Sequence, residues 1–337
     1  PVAADGLLFV PSMVRDGVSA YDAATGERRW RFFTDGPVRF APAVDAGKLF
    51  IVSDDGYLYC LDARTGALRW RLRGGPSDRK LLGNGRLISM WPARGAPVVA
   101  DGTVYFAAGI WPFMGIFVSA VSAETGEAIW RNTGNGSDFI LQPHSSPAFA
   151  GVAPQGHLAV AGDLLVVPGG RSVPAVFERK TGKLVYYNIN DKNGGYAVAA
   201  AGGRFLVDNC MYNLADGGRI SGMPIGVVAD GMAIGLDPQG TIRAHELDVS
   251  WTSYKDQNGA ERRRAGVKTG WTQPAPTGFD KLLISAGTQL VLGGPGKVAA
   301  MERPGAADNT VLMPPSSTWS YLAGQHPQGP WTEPAFD

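Results

Sequence analysis

Ala20-Tyr21-Asp22-Ala23-Ala24-Thr25-Gly26-Glu27-Arg28-Arg29-Trp30 decides the fold, because it returns forty residues on as Cys60-Leu61-Asp62-Ala63-Arg64-Thr65-Gly66-Ala67-Leu68-Arg69-Trp70. A third copy runs Ala120-Val121-Ser122-Ala123-Glu124-Thr125-Gly126-Glu127-Ala128-Ile129-Trp130. A more divergent fourth occupies Val176 to Tyr186, through Thr181-Gly182. Self-similarity of this kind marks a repeat architecture in which neighbouring units bury one another. Short β-branched and aromatic runs precede the copies, such as Lys48-Leu49-Phe50-Ile51-Val52 and Thr103-Val104-Tyr105-Phe106, and read as strands. The motif itself has the chemistry of a turn. Asp22 and Asp62 are placed to accept hydrogen bonds from backbone N–H groups two or three residues on, and Thr25 and Thr65 to add a hydroxyl bond. Gly26, Gly66, Gly126 and Gly182 supply the positive φ that a tight hairpin needs. The closing Trp is expected to bury its ring against the following repeat while its indole N–H finds a backbone acceptor.

A second marker sets the count. Small-residue turns stand before the second strand of each repeat, at Asp5-Gly6, Ala46-Gly47, Asp101-Gly102, Gly162-Asp163, Gly202-Gly203, Asp230-Gly231 and Ala286-Gly287. Several short strands per repeat at this spacing predict an all-β fold, a β-propeller of four-stranded antiparallel blades. Seven blades are visible, with seven or eight in the closed ring. An eighth would lie outside this chain or inside the long sixth repeat, about residues 226–275. The propeller is assigned to residues 1–313. The Trp- and Pro-rich tail, 314–337, breaks the repeat and reads as a linker and the start of a following β-sandwich-like module.

The pattern Ala-x-Asp-x-x-Thr-Gly-x-x-x-Trp, carried by the copies ending at Trp30, Trp70 and Trp130, resembles the PQQ-like (quinoprotein-type) repeat family. That family includes quinoprotein alcohol dehydrogenases and outer-membrane assembly lipoproteins. The resemblance implies an extracytoplasmic protein, periplasmic or secreted, and places this chain beside cofactor-less envelope propellers of large multidomain proteins. The dehydrogenases of the family present adjacent cysteines above the quinone and an acidic and amide set for calcium. The two cysteines here, Cys60 and Cys210, are far apart in sequence. Neither PQQ nor calcium is therefore expected, and the two cysteines are expected to be buried free thiols.

Composition narrows the partners. A formal charge of +1 gives no global attraction to nucleic acid or anionic membrane. No apolar run approaches the roughly 20 residues of a membrane span. No His, Cys, Asp or Glu spacing reads as a zinc or EF-hand site.

Long loops on a rigid scaffold tend to carry binding. In a propeller, the connections between second and third strands and between successive blades share one end, opposite the Asp-x-x-Thr-Gly turns. The insertions fall on that end, over blades two to five: residues 73–95, 109–115, 131–157, 169–172 and 191–194. Arg86, Trp91, Arg94, Trp111, Gln142, Gln155, His157 and Arg171 are the candidate ligand-binding residues. The tryptophans offer faces for ring stacking, and the arginines offer bidentate pairing with a carboxylate or sulfate. The alternative is that Trp91 and Trp111 plug the channel and the arginines cap loop carbonyls. His144 is the candidate general acid or base, being mid-loop and able to titrate near neutrality. Two functions follow. One is a ligand-binding or scaffold propeller of the envelope, recognising a glycan or a protein partner, including other domains of the same polypeptide. The other is a polysaccharide-active enzyme working by β-elimination on an acidic glycan. A PQQ-dependent dehydrogenase ranks third, and whether the chain is an enzyme stays open.

Overall fold

The computed structural model describes residues 1–304 and 318–320, except 84, 137–138, 142–144, 150, 171, 189–193, 208–209, 223–225, 287 and 296. The chain divides into two compact units, Pro1–Val198 and Ala199–Asp337. In both, the building block is an antiparallel sheet whose strands pair in chain order, and seven such sheets correspond to the seven expected blades.

The first blade is Val2–Ala4, Leu7–Ser12, Gly17–Asp22 and Arg28–Phe33; the second is Ala43–Asp45, Lys48–Val52, Tyr57–Asp62 and Leu68–Arg73. The third comprises Gly95–Ala100, Thr103–Ala108, Phe117–Ser122 and Ala128–Asn132, and gains a fifth strand, Gly156–His157, paired parallel to Gly95–Ala100. The fourth runs from Ala159–Ala161 to Leu184–Tyr186, the fifth from Val198–Ala201 to Arg219–Gly222, and the sixth from Val227–Ala229 to Glu261–Pro274. The seventh starts at Lys281–Ala286, and its outer strand, Thr318–Ser320, pairs with Lys297–Glu302. That strand lies beyond residue 313, so the last blade draws on the stretch read from sequence as linker. The long sixth repeat holds no eighth blade among the described residues. Its extra length goes into two strands, Thr241–Lys255 and Glu261–Pro274, of one four-stranded sheet.

Burial on both faces explains the unbroken apolar runs. Strand side chains alternate between faces, and in the second blade both alternating sets are inside. Leu49, Ile51, Tyr59 and Leu61 pack with Phe9, Val18 and Ala20 of the first blade. Phe50, Val52, Leu58 and Cys60 pack with Val104, Phe106 and Ala108 of the third. The third in turn packs Tyr105, Ala107, Val118 and Ala120 against Leu165, Val167, Ala175 and Phe177 of the fourth. The core of the first unit is thus a series of layers between blades. In the second unit the same logic places Ile234, Ile242 and Ala244 of the sixth blade against Leu290, Leu292 and Ala299 of the seventh.

The turn motif folds as its chemistry requires. Asp22 Oδ1 accepts from the N–H groups of Ala24 (3.0 Å) and Thr25 (2.9 Å), and Asp62 Oδ1 from those of Arg64 (3.1 Å) and Thr65 (3.0 Å). Gly26, Gly66, Gly126 and Gly182 have φ of 75°, 73°, 74° and 71°. The residue after each turn Asp reaches the other marker: Ala23 N–H donates to Gly6 O and Ala63 N–H to Gly47 O, both at 2.9 Å. Both turn types therefore occupy one end of a blade, joined to each other.

Each motif Trp crosses to the following blade. A Cβ on Gly66 would stand 2.6 Å from the Trp30 ring, and one on Gly126 would stand 2.7 Å from the Trp70 ring; Trp130 covers Gly182 likewise. The Trp30 indole N–H donates to Ala63 O (3.1 Å) and that of Trp130 to Arg179 O (2.7 Å). The tryptophans are inter-blade staples. Cys60 and Cys210 are buried free thiols, and burial pushes the Cys60 thiol up to about 11.

Candidate functional site

In the first unit, the end of the blades opposite the motif turns is built from the connections between second and third strands and from those between blades. At its centre is the turn Ser53-Asp54-Asp55-Gly56, between the second blade's middle strands. The sequence there lacks a long loop, and yet it places a carboxylate inside. The Asp54 side chain is 1% exposed. A carboxylate so buried is tolerated only when its charge is matched. Arg94, at the entry to the third blade, supplies two bonds, Nε to Oδ1 at 2.7 Å and Nη2 to Oδ2 at 3.1 Å. Arg39, in the connection from the first blade to the second, adds Nε and Nη2 to Oδ2, each at 2.7 Å. Two guanidinium groups on one carboxylate leave a net positive centre, with Arg39 more exposed (26%) than Arg94 (16%).

His157 joins this centre through backbone pairing. Gly95 pairs with Gly156 and Ala96 with His157 in a parallel ladder, and Gly156 N–H donates to Arg94 O at 3.0 Å. The His157 ring meets Phe40 edge-on, centroids 5.5 Å apart. Burial depresses its pKa, so the imidazole is held neutral. Its backbone N–H donates to Tyr196 O, and it bridges to Ala197, as Gln155 bridges to Gly169. Gly156 is required at this crossing: its φ is 125°, and a Cβ would strike the Tyr196 carbonyl.

The remaining sequence candidates make no described bond to the Asp54 carboxylate or lie outside the described residues. Arg86, on the hairpin Lys80–Gly83 and Arg86–Ser89, reaches back to the first blade. It bonds Asp16 Oδ1 (2.7 Å) and donates to Met13 O (2.7 Å) and Val14 O (3.1 Å). Trp91 is 8% exposed, with its indole N–H on Met114 O at 2.7 Å and its ring edge-on to Phe117. It fastens the second blade's insertion to the short 3-10 helix Pro112–Met114 of the third, whose preceding residue is the half-buried Trp111. Arg86 thus caps two loop carbonyls, and Trp91 anchors a loop. Gln142, His144 and Arg171 lie outside the described residues.

Asp54, Arg39 and Phe40 were not foreseen, because they sit in short connections and meet only in space. The acidic pair Asp54-Asp55 between two apolar strands was the one local sign. Asp55 is also buried, bonded to Tyr59 Oη at 2.7 Å, and its pKa is raised by desolvation. Among the described residues no three His, Cys, Asp or Glu side chains group to hold a metal ion. No helix is long and apolar enough to cross a membrane.

Comparison with known proteins agrees with the propeller fold. Residues 1–90 match the family described as outer membrane protein assembly factor BamB. The dehydrogenase subunit of the quinone-type alcohol dehydrogenase of Gluconacetobacter polyoxogenes is 34% identical over 146 residues, 39% of this chain and 19% of that protein. Tetrathionate hydrolase of Acidithiobacillus ferrooxidans is 26% identical over 231 residues, 56% of this chain and 43% of that protein. The chain therefore spans less than half the length of either relative. Among solved structures, the quinohemoprotein alcohol dehydrogenase of Comamonas testosteroni aligns with a TM-score of 0.53 at 18% identity, over 90% of this chain and 64% of that one. The computationally designed Ika8 protein aligns with a TM-score of 0.56 at 12% identity, over 89% of this chain and 82% of that one. The class defined by fold and repeat is the quinoprotein-type β-propeller. More particularly, the chain resembles the PQQ-like repeat family, whose model matches its residues 1–90.

Proposed function

We propose that this chain is a binding propeller of the cell envelope, without a redox cofactor, and that the loop end of its first unit docks a protein partner. One observation carries the reading. Large apolar side chains stand in solvent on the loops of that end: Val14 is 80% exposed, Leu82 73%, Leu87 63% and Phe113 59%. They come from three different connections, in the first, second and third blades. Exposed apolar groups gathered on one surface mark association. The aliphatic members offer a sugar neither a stacking face nor a hydrogen bond, so a protein surface suits this end better than a glycan. The Arg39–Asp54–Arg94 centre, net positive, would add charge recognition at the same end.

The quinone does not suit the residues present. Every described contact of the Asp54 carboxylate oxygens is with a guanidinium, which leaves a poor ligand for calcium. Cys60 packs inside the layer between the second and third blades, and Cys210 is buried in the fifth. Envelope placement follows the printed description of the matched family and stands with the proposal.

The test compares the full chain with a Leu82→Ser, Leu87→Ser double variant in affinity purification from the source cells, scored by mass spectrometry. Loss of the same proteins in the variant, at unchanged melting temperature, is expected. Equal retention by both would sink the loop-end reading. A spectral change on titration with PQQ and calcium would sink the cofactor-free part alone.

A further inference from the structure

The sixth blade contains a feature that the propeller fold does not need. Its third and fourth strands, Thr241–Lys255 and Glu261–Pro274, are 15 and 14 residues long, where the same strands of the second blade have six each. The connection between them occupies the place where other blades carry the Asp-x-x-Thr-Gly turn. Up to Val249 paired with Val267 the strands pack on the layer containing Leu206, Met211 and Leu247. Beyond that pair they continue as a two-stranded ribbon, Ser250–Lys255 with Glu261–Gly266, closed by a turn in which Asp256 accepts from Asn258 and Ala260 N–H and pairs with Arg262. Every residue from Ser250 to Lys255 and from Glu261 to Arg264 is exposed. The blade anchors the ribbon at its root, but a two-stranded ribbon exposed on both faces is marginal in water, so a surface covering it would stabilise it.

Register shows what that surface meets. Ser253 pairs with Arg263 and Trp251 with Ala265, so Trp251 and Arg263 share one face. Thr252 pairs with Arg264 and Tyr254 with Arg262, so Tyr254 and Arg264 share the other. Trp251 is 52% exposed and Tyr254 51%. Arg263 and Arg264 have no ion pair among the described residues. At the root, Arg264, Thr252, His245 and Ser221 line an open cavity of about 570 Å³, polar and cationic, wide enough for a carboxylate side chain. Each face thus carries one aromatic and at least one arginine.

We propose that this ribbon is a docking arm that inserts into an acidic cleft of a partner protein, gripped on both faces. Charge complementarity sets the occupant: the arginines call for carboxylates, and the aromatic rings supply the desolvated contacts beside them. A membrane is the poorer fit, because a planar bilayer touches one face of a ribbon, and here the aromatics lie on opposite faces with a polar turn, Asp256-Gln257-Asn258-Gly259, at the tip. The arm consists of residues of the second unit only, so its test is independent of the loop-end proposal.

The experiment places the photoreactive residue p-benzoylphenylalanine at position Trp251 in one full-length variant and at position Tyr254 in another, expressed in the source cells. Adducts are identified at the peptide level. The expected result is one protein captured from both faces, through Asp- and Glu-rich peptides, with yield falling about tenfold or more when Arg263→Glu and Arg264→Glu are added. A purified control titrates the chain with poly-L-glutamate, whose binding should fall with the same charge reversal at unchanged melting temperature. Adducts to lipid or nucleic acid, different proteins on the two faces, no protein adduct, or yield insensitive to charge reversal would each overturn the proposal.

Discussion

The two ends of the first four blades are held in opposite ways. At the motif end, stability comes from small, repeated, mostly exposed devices: an Asp-closed turn, a left-handed glycine, and a Trp laid over the next glycine. At the loop end it comes from an arrangement that occurs once among the described residues, a buried carboxylate between two arginines from separate connections. The difference teaches where a repeat protein keeps its freedom. The repeated end must stay alike for blades to fit their neighbours, whereas the loop end can diverge because each connection makes its own contacts.

The sharpest way to break this comparison is at Asp54. Asp54→Ala strands two partly buried guanidinium groups and should cost about 3 kcal/mol or more by chemical denaturation. A cost below that of losing a single staple would remove the contrast. The staples provide the middle-sized test. The Trp30 N–H is bonded to Ala63 O, whereas the Trp70 N–H is buried without an acceptor among the described residues. Trp30→Phe should therefore destabilise by about 1 kcal/mol more than Trp70→Phe, since only the first forfeits a hydrogen bond. Equal losses would mean that ring packing alone sets the joint.

The smallest effect is in acid. The Arg29 side chain and turn N–H groups hold the Asp22 carboxyl well below its usual range, and Arg69 with Thr65 holds Asp62 at about 2. A carboxylate depressed on folding stabilises above the unfolded value, roughly 4, and that contribution is lost as pH falls through the folded value. The gap in urea midpoint between the native chain and an Asp22→Asn, Asp62→Asn variant should be constant near neutrality, begin to narrow below about pH 4 and go on narrowing through about pH 2. A gap that does not narrow in acid would show that the turns hold without their charge.

The motif end was legible because its determinants lie within eleven residues of one another. Asp22, Thr25, Gly26 and Trp30 announce a turn and a staple, and the structure has both. One signal was present and went unread. Asp22 pairs with Arg29 and Asp62 with Arg69 across the turn; in the third copy Ser122 replaces the acid and Ile129 the base, so the pair is lost together. The loop end was illegible for the opposite reason. Arg39 and Arg94 lie 15 and 40 residues from Asp54, and nothing local marks them as its partners. Loop length and residue type pointed instead to Arg86 and Trp91, which tie insertions down. Arg94 and His157 were selected from the same loops, and the parallel ladder at Ala96 brings their strands side by side. The ribbon of the sixth blade escaped because a long repeat suggests an added blade as readily as an added hairpin.

The tryptophan staple has a consequence for blade number. Each of the first three blades presents a ring toward the next, and the second, third and fourth present the turn glycine that receives it, as Trp30 on Gly66, Trp70 on Gly126 and Trp130 on Gly182 show. A joint with the same plug and the same socket at every junction is indifferent to which copy supplies either half. A whole blade duplicated or deleted between Gly66 and Trp130 would leave no plug without a socket. Change in copy number is therefore sterically mild at that end, while any length change that divides a plug from its own blade is not. The unit of inheritance in such a chain is the joint-to-joint segment, and the loops of the opposite end travel with it as cargo.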